Sequence, residues 1–525
     1  MPSPLYPVLD ARRVSRRSFL ALSSSLAAAS VWSSRACGAV KRYPKLADHP
    51  FQIGVASGDP APDGVVLWTR LAPKPLEGGG MPQEPVEVSW QVADDEGFTK
   101  IAREGTTVAT PDWAHSVHVE ADGLAPDRWY FYRFKVGNDI SPVGRTRTTP
   151  ALDASPANVK FAFASCQHYE NGLYTAYEHM LAEHPDLVIH LGDYIYEGPG
   201  RENQVRKHVG PEITSVEHYR NRHAQYKTDA ALQAMHAAAP WIVTWDDHEV
   251  DNNYANSISE IEGVTPEELL ERRAHGYQAY YEHMPLRKSS LPQGPNMQLY
   301  RRVPYGRLAE FFVLDSRQYR SDQPCGDGNK PQCPEALSEQ RTMLGEQQRT
   351  WLCDGLADTP SNWKILAQQV MFARVDRKHG EEVGYSMDQW PGYEADRRRL
   401  LKCFRERQIA NPVVLTGDIH SNWANELIAD FDDLDSEPLA AEFVGTSISS
   451  GGDGAANPRG VERTLAENPF VKFNNAERGY VVCQLTPDTW RTDYRTVEYV
   501  TRPGATLNTR ASFILESGDS TLKPA

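Results

Sequence analysis

Four apolar runs share one layout: each reads as a strand, and each turns to ligand-type side chains at its C-terminal end. Leu187 to Leu191 leads into Gly192-Asp193-Tyr194-Ile195-Tyr196-Glu197. Val159 to Ser165 ends in Cys166, and Trp241 to Trp245 runs into Asp246, Asp247 and His248, with Glu249, Asp251, Asn252 and Asn253 close behind. Pro412 to Thr416 is followed by Gly417, Asp418 and His420. Short apolar runs bounded by Pro and Gly predict buried strands. In open α/β sheets the carboxyl edge is where ligands bind. A glycine allows close approach there, and a carboxylate one residue later can bridge two cations. The four ends together predict a polynuclear metal site at the edge of a β-sheet.

Residues 45–150 read differently. Gly64–Arg70, Val86–Val92, His115–Glu120 and Trp129–Val136 alternate apolar and polar, with Pro, Asp and Gly turns between them. That pattern predicts a small antiparallel β-sandwich over residues 45–145, joined by a linker over 142–158. From Val159 onward strands alternate with helices. Helices are expected over 171–183, 218–239, 266–284, 337–357 and 397–408. Further strands are expected over 308–314, 363–367, 442–446 and 480–485. The fold class is therefore α/β, a two-layered sheet with helices outside. The main domain is bounded at 155–500, and residues 501–525 form a tail or a lid.

Formal charge is −15, from 55 basic and 70 acidic residues, which argues against bulk binding to nucleic acid or anionic lipid. An anionic substrate stays open, because bound cations can dominate a local field. No run is long and apolar enough to span a bilayer, so no transmembrane anchor is expected. Ser15-Arg16-Arg17-Ser18-Phe19-Leu20 precedes a weakly apolar stretch rich in Ala and Ser and resembles a twin-arginine export signal. Residues 1–39 are read as that leader, handled by the twin-arginine machinery, and the mature chain as secreted or periplasmic. Cys325 and Cys333 flank a short Gly-rich loop and could pair in an oxidising compartment; spacing leaves this open. Cys353, Cys403 and Cys483 read as ordinary buried residues.

Asp, His, Asn, Tyr and Cys make a mixed hard and soft ligand set. Carboxylate and amide suit calcium, magnesium or manganese, whereas phenolate and thiolate favour a ferric ion. Such cations activate water and neutralise a phosphoryl oxygen. The chain carries neither a Gly-x-x-x-x-Gly-Lys-Ser/Thr loop nor a Gly-x-Ser-x-Gly elbow, which weakens the ATPase and serine-esterase readings.

Ser165-Cys166-Gln167, Gly192 to Glu197, Trp245 to Asn253, Leu314 to Arg320, Met387-Asp388-Gln389-Trp390 and Gly417 to His420 together resemble the phosphatase D family of secreted alkaline phosphatases. The resemblance runs from about residue 45 to 500. It implies a metallophosphoesterase-like α/β/β/α sandwich behind the β-domain, one ferric ion and two calcium ions, and hydrolysis of phosphate mono- and diesters. Attack by a metal-bridging oxide or hydroxide is the implied chemistry, in the service of phosphate scavenging by a monomer. Carried over by position, Cys166, Asp193, Tyr196, Asp247, Asn253, Asp418 and His420 are the expected metal ligands, with Asp193 bridging. Tyr194 is left out because side chains alternate along an extended segment. His248 is the expected general acid, Arg317 and Arg320 the expected phosphate contacts, and Asp246, Asn252 and Asp388 their supports. The alternative is a phospholipase D-like activity on lipid headgroups.

Overall fold

The computed structural model describes residue 46 and residues 48–525, so the leader read over residues 1–39 lies outside the described part. All four predicted strands form, as Val159–Ala164, Leu187–Leu191, Pro240–Thr244 and Pro412–Thr416. The first three pair in parallel, with Leu187–Leu191 in the middle. The fourth belongs to a second sheet, between Trp363–Ala367 and Pro438–Val444. The long strand Val471–Leu485 joins the two sheets: its first part pairs with Asn422–Ile428 and its last part with Val159–Ala164.

These strands are apolar on both faces because both faces are covered. Phe161 and Phe163 enter the core between the sheets, where Leu187, Ile189, Phe311, Ile365 and Val413 meet them. Ala162, Ala164, Val188 and Trp241 face the opposite way, toward the helices Thr175–Ala182, Val216–Lys227, Ala230–Ala238 and Pro266–His283. On the second sheet Phe312, Leu366 and Val414 face Gly345–Asp358 and Glu394–Glu406. The layers run α/β/β/α. Aromatic rings bridge the inner layer, Phe161 lying edge-on to Phe311 at 5.3 Å and to Trp490 at 5.7 Å. Burying a Phe side chain of this kind stabilises the fold by about 1.5–3 kcal/mol.

The sandwich at the front of the chain shares a leaf with this core. Val86–Ala93, Ile101–Ala109, Trp129–Val136, Asp139–Ile140 and Gly144–Arg147 form a separate antiparallel sheet. Its partner leaf is Val55–Ala61, Gly64–Arg70 and Ser116–Asp122, packed on it through Val65, Leu67, Val88, Tyr132 and Phe134. Val55–Ala61 in turn pairs in parallel with Pro240–Thr244, so the leaf continues the first α/β sheet.

Three expectations change. The helix expected over 218–239 is two helices, because Asp229 leaves the helical path and caps the second by accepting from the Ala231 and Leu232 amides. The helix expected from Leu337 begins only at Gly345; the Asp396 carboxylate accepts from Thr342 and the Met343 amide and holds the preceding residues as turns. Residues 501–525 neither cover the site nor trail off. Leu507–Glu516 pairs antiparallel with Thr489–Val497, and Lys523–Pro524 pairs with it in turn.

Candidate metal centre

The polar ends of the four strands meet because two glycines let their loops touch. A Cβ on Gly192 would lie 2.5 Å from the Cβ of Asp246, and one on Gly417 would lie 2.6 Å from the Ser165 hydroxyl. Backbone bonds tie the first pair of loops, Cys166 N–H donating to the Gly192 carbonyl at 3.1 Å and Gln167 N–H to that of Asp193 at 3.1 Å. Gln369 joins the sheets: its amide nitrogen donates to the Trp245 and Leu314 carbonyls at 2.9 and 2.8 Å. Five of the expected ligands sit in the left-handed region, Cys166, Asp193, Asn253, Asp418 and His420 having φ between 53° and 66°. For non-glycine residues that backbone costs on the order of 1 kcal/mol each, and such strain concentrates at functional sites.

Two groups of ligand atoms result. Cys166, Asp193 and His420 bring one ligand atom each within 4.8 Å of the others, and so do Asp193, Asp247 and His248. Asp193 belongs to both. The Tyr196 hydroxyl donates to Asp193 Oδ2 at 2.8 Å, lies 3.2 Å from His420 Nε2 and accepts from Ser450 at 2.8 Å. Tyr194 does point away, its hydroxyl 2.8 Å from His236 Nε2 behind the sheet.

The other expected residues are placed less directly. Asn253 and the Asp418 and His420 segment line a cavity of about 360 Å³ at the edge of the centre. The Asn253 amide nitrogen donates to Glu260 at 2.9 Å, and its backbone N–H to Asp247 Oδ2 at 2.7 Å. The Asp418 carboxylate is in neither three-residue group; it accepts from Gln389 at 2.9 Å, while its carbonyl lies 3.7 Å from Cys166 Sγ. Asn252 turns to Glu260, with its N–H on Glu197 at 3.1 Å.

Arg317 and Arg320 depart from the role expected of them. Both are fully buried. Arg317 donates to Asp246, forks onto both oxygens of Asp388 at 3.0 and 3.1 Å and lies 3.6 Å from Asp247. Arg320 holds Asp388 and the Tyr393 hydroxyl. Both guanidinium groups thus serve the protein's own acids, balancing charge beneath the centre. A sequence names an arginine without naming the carboxylates that fold around it.

Acid is nonetheless in excess. Asp193 Oδ1, Asp246 Oδ2 and Asp247 Oδ1 are buried with no hydrogen-bond partner. Burial pushes the carboxyl pKa values of Asp193 and Asp246 well up, helped for Asp193 by Asp247 and for Asp246 by Asp247 and Asp418. Burial, with Asp388, raises Asp418 to about 6. Burial also raises the Cys166 thiol and the Tyr196 phenol. For Asp247, burial is outweighed by Arg317 and His248, and its pKa falls below the usual range. For His248, burial is outweighed by Glu197, Asp247 and Asp193, which raise it. Burial lowers His420 to about 3, leaving a neutral imidazole. Unpartnered carboxylate oxygens, a thiol, a phenol and a neutral imidazole around one point fit bound cations, which favour the deprotonated forms.

Four residues with no role assigned from the sequence support the centre. Glu249 accepts from the backbone N–H groups of Asp193 at 3.1 Å, Tyr194 at 2.6 Å and Asp246 at 2.8 Å, clamping two of the loops. Glu197 accepts from His248 Nδ1 at 2.7 Å, fixing the ring. Ser450 joins Tyr196 to the Cys166 carbonyl, and Gln389 holds Asp418. Glu197, Glu249 and Gln389 lay inside motifs already in view, whereas Ser450 sits 284 residues from Cys166 with no local signal.

Comparison with known proteins bears on this geometry. Residues 161–494 match the family description PhoD-like phosphatase, and residues 38–150 match its N-terminal domain. The chain is 54% identical over 489 residues to alkaline phosphatase D of Bacillus subtilis strain 168, covering 92% of this chain and 84% of that protein. A solved structure of PhoD superposes with a TM-score of 0.90 at 54% identity, over 92% of this chain and 93% of the other.

Proposed function

The chain belongs to the PhoD-like phosphatase family and is a phosphoric ester hydrolase; from that premise we propose a metal-dependent, exported enzyme acting on phosphate mono- and diesters, built around Asp193. One observation carries the metal dependence: a buried carboxylate with an unpartnered oxygen is common to two ligand groups. Cys166, Tyr196 and His420 would hold, with Asp193, a ferric ion, since thiolate and phenolate favour that ion. Asp193, Asp247, Asn253 and Asp418 would hold calcium through oxygen. Bound there, the ions would supply Lewis acidity for the phosphoryl oxygens and for water.

The chain's own groups do the rest. His248 is held by Glu197, which accepts from its Nδ1 at 2.7 Å, so its other ring nitrogen is free to give a proton to a departing ester oxygen. Arg317 neutralises Asp246 and Asp388 and keeps them in place. Water does the displacing, so no phosphorylated enzyme forms. Kinship with an alkaline phosphatase favours this reading over cleavage of lipid headgroups. The bond between Cys325 and Cys333, with Cα atoms 5.9 Å apart, supports an oxidising destination such as the periplasm or exterior, reached through the twin-arginine leader. Phosphate scavenging by a monomer there is the accompanying proposal.

Metal content of protein purified after export, measured with hydrolysis of bis-p-nitrophenyl phosphate, tests the reading. Roughly one iron and two calcium ions per chain are expected, with activity lost to a calcium chelator and restored by calcium. Zinc alone, or turnover indifferent to chelation, would overturn it.

A further inference from the structure

With Arg317 and Arg320 committed to carboxylates, a guanidinium contact to phosphate beside the ions would come from another arginine. Other arginines near the centre are turned to backbone carbonyls, Arg222 with its Nε buried and unpartnered. Arg478 donates to the His420 and Gly452 carbonyls at 2.6 and 2.8 Å, and Arg222 to those of Tyr196 and Gly198. Arg377 differs. It lines the 360 Å³ cavity together with Asn253, Asp418 and His420, and its side chain makes one hydrogen bond among the described residues, Nη2 to Gln389 Oε1 at 2.8 Å. Its Nε is buried and has no partner. A guanidinium with most of its donors unused, facing a cavity of ligand size, is set to receive an oxyanion.

Arg377 is also held still. Its backbone N–H donates to the Gly384 carbonyl at 2.8 Å, and the neighbouring Asp376 carboxylate accepts from the Lys378 and Gly384 amides at 3.0 and 2.8 Å, closing the loop. Asn468 fixes Asp376 from below at 2.9 Å. The guanidinium lies 5.7 Å from the centre of the Trp423 ring, within cation–π reach. Gln389 accepts from Arg377 and donates to Asp418 at 2.9 Å, so one amide sets the guanidinium against an expected metal ligand. Asp327, Gly328 and Asn329 of the disulfide-closed loop line the same cavity.

We propose that Arg377 is the side chain that grips a phosphoryl oxygen of the substrate, with Gln389 as its positioning residue. This rests on the phosphatase reading above. A planar fork on two oxygens discriminates phosphate by geometry as well as charge, and lysine cannot reproduce the geometry.

Competitive inhibition of the metal-loaded enzyme by inorganic phosphate, measured in wild type, Arg377→Gln and Arg377→Lys, tests it, with metal content and circular dichroism measured on each. Phosphate inhibition should weaken by roughly tenfold or more in Arg377→Gln, with KM rising in parallel and kcat falling less. Arg377→Lys should fall between the two and decides the matter if the Gln variant loses metal or fold. Unchanged phosphate inhibition in a variant that keeps its metals would overturn the assignment. So would an active wild type that phosphate does not inhibit. A wild type that binds phosphate yet hydrolyses no ester would instead sink the phosphatase reading and leave Arg377 as an anion contact.

Discussion

One strand, Leu187–Leu191, supports two buried polar regions of opposite sign. Beyond its end, Asp193 joins Asp246, Asp247, Glu249 and Asp418 in an acidic pocket. On its helix side, His190 lies with His223, His236, His283, Lys227 and Arg70 in a basic one. Both contain unpartnered polar atoms, Asp193 Oδ1 and Asp247 Oδ1 in front, and both ring nitrogens of His223 behind. The two regions resolve burial differently. Burial drives the histidines neutral, and rings then stack, His236 on Trp241 at 3.8 Å and His223 on His283 at 5.0 Å. The acids converge on one point beside a thiol, a phenol and an imidazole, a donor set that fits bound cations. Like burial therefore gives packing behind the sheet and a candidate catalytic centre in front of it.

The sharpest way to break this contrast is Asp193→Asn, which removes the charge common to both ligand groups while nearly preserving volume. kcat/KM for a phosphate ester should fall by roughly a thousandfold or more, about 4 kcal/mol of transition-state stabilisation. Bound metal per chain should fall with it. Activity within tenfold of wild type at full metal content would remove Asp193 from the shared position.

Glu249→Gln has a smaller effect and separates clamp from ligand. Glu249 touches the centre only through three backbone N–H groups, and burial, against those three bonds, raises its pKa to about 7. An amide would turn N–H toward N–H and loosen the loops carrying Asp193 and Asp246. Calcium affinity, followed by chelator competition, should weaken by roughly 10- to 100-fold, as for other residues that hold a ligand in place. Unchanged affinity would mean that the glycines and strand pairing alone hold the loops.

The contrast between front and back also bears on how much was legible in the sequence. The four strands and their polar ends were readable, because an unbroken apolar run can be buried on both faces, and Gly-Asp or Asp-Asp-His directly after it puts ligand groups at the sheet edge. That reading brought the polar ends at Cys166, Asp193, Asp247, Asp418 and His420 into view, and alternation turned Tyr194 away. Their separate ligand roles, and Tyr196 as one of the ligands, came with the resemblance to the phosphatase D family. What partners a charge was not readable. Arg317 and Arg320 sit in a conspicuous motif, yet their donors are taken by Asp246 and Asp388, the latter 71 residues from Arg317. Arg377 sits in an inconspicuous loop and has donors to spare. The break at Asp229 was hidden because polar residues within 218–239 are as compatible with a solvated helix face as with a cap. The basic region left no signal at all, since histidines scattered over 190–283 converge only once the helices pack.

Lys227 gives the smallest and most diagnostic effect. It is fully buried, has no ion-pair partner among the described residues, and lies 4.5 Å from the centre of the Trp68 ring, with Nζ 3.4 Å from His236 Nε2. Burial lowers its pKa from the ordinary 10.5 to about 7. The folded chain therefore releases this proton more readily than the unfolded chain, which still binds it between those values. The stability linked to Lys227 is complete above 10.5 and is lost as pH falls through about 7. Lys227→Met should accordingly stabilise the protein near pH 7, by roughly 1 kcal/mol, the lower end of the cost of a poorly compensated buried polar group. That gain should shrink as pH rises toward 10.5, above which the wild-type amine is neutral in the folded and unfolded states alike. Denaturant unfolding of both proteins at about pH 7 and about pH 9.5 reads the difference directly. A gain independent of pH would mean that packing, not charge, is what methionine improves, and a loss at both values would mean that the lysine is held by a partner that keeps it charged. Activity should stay near wild type throughout, because the region behind the sheet carries its burial without any share in the chemistry in front.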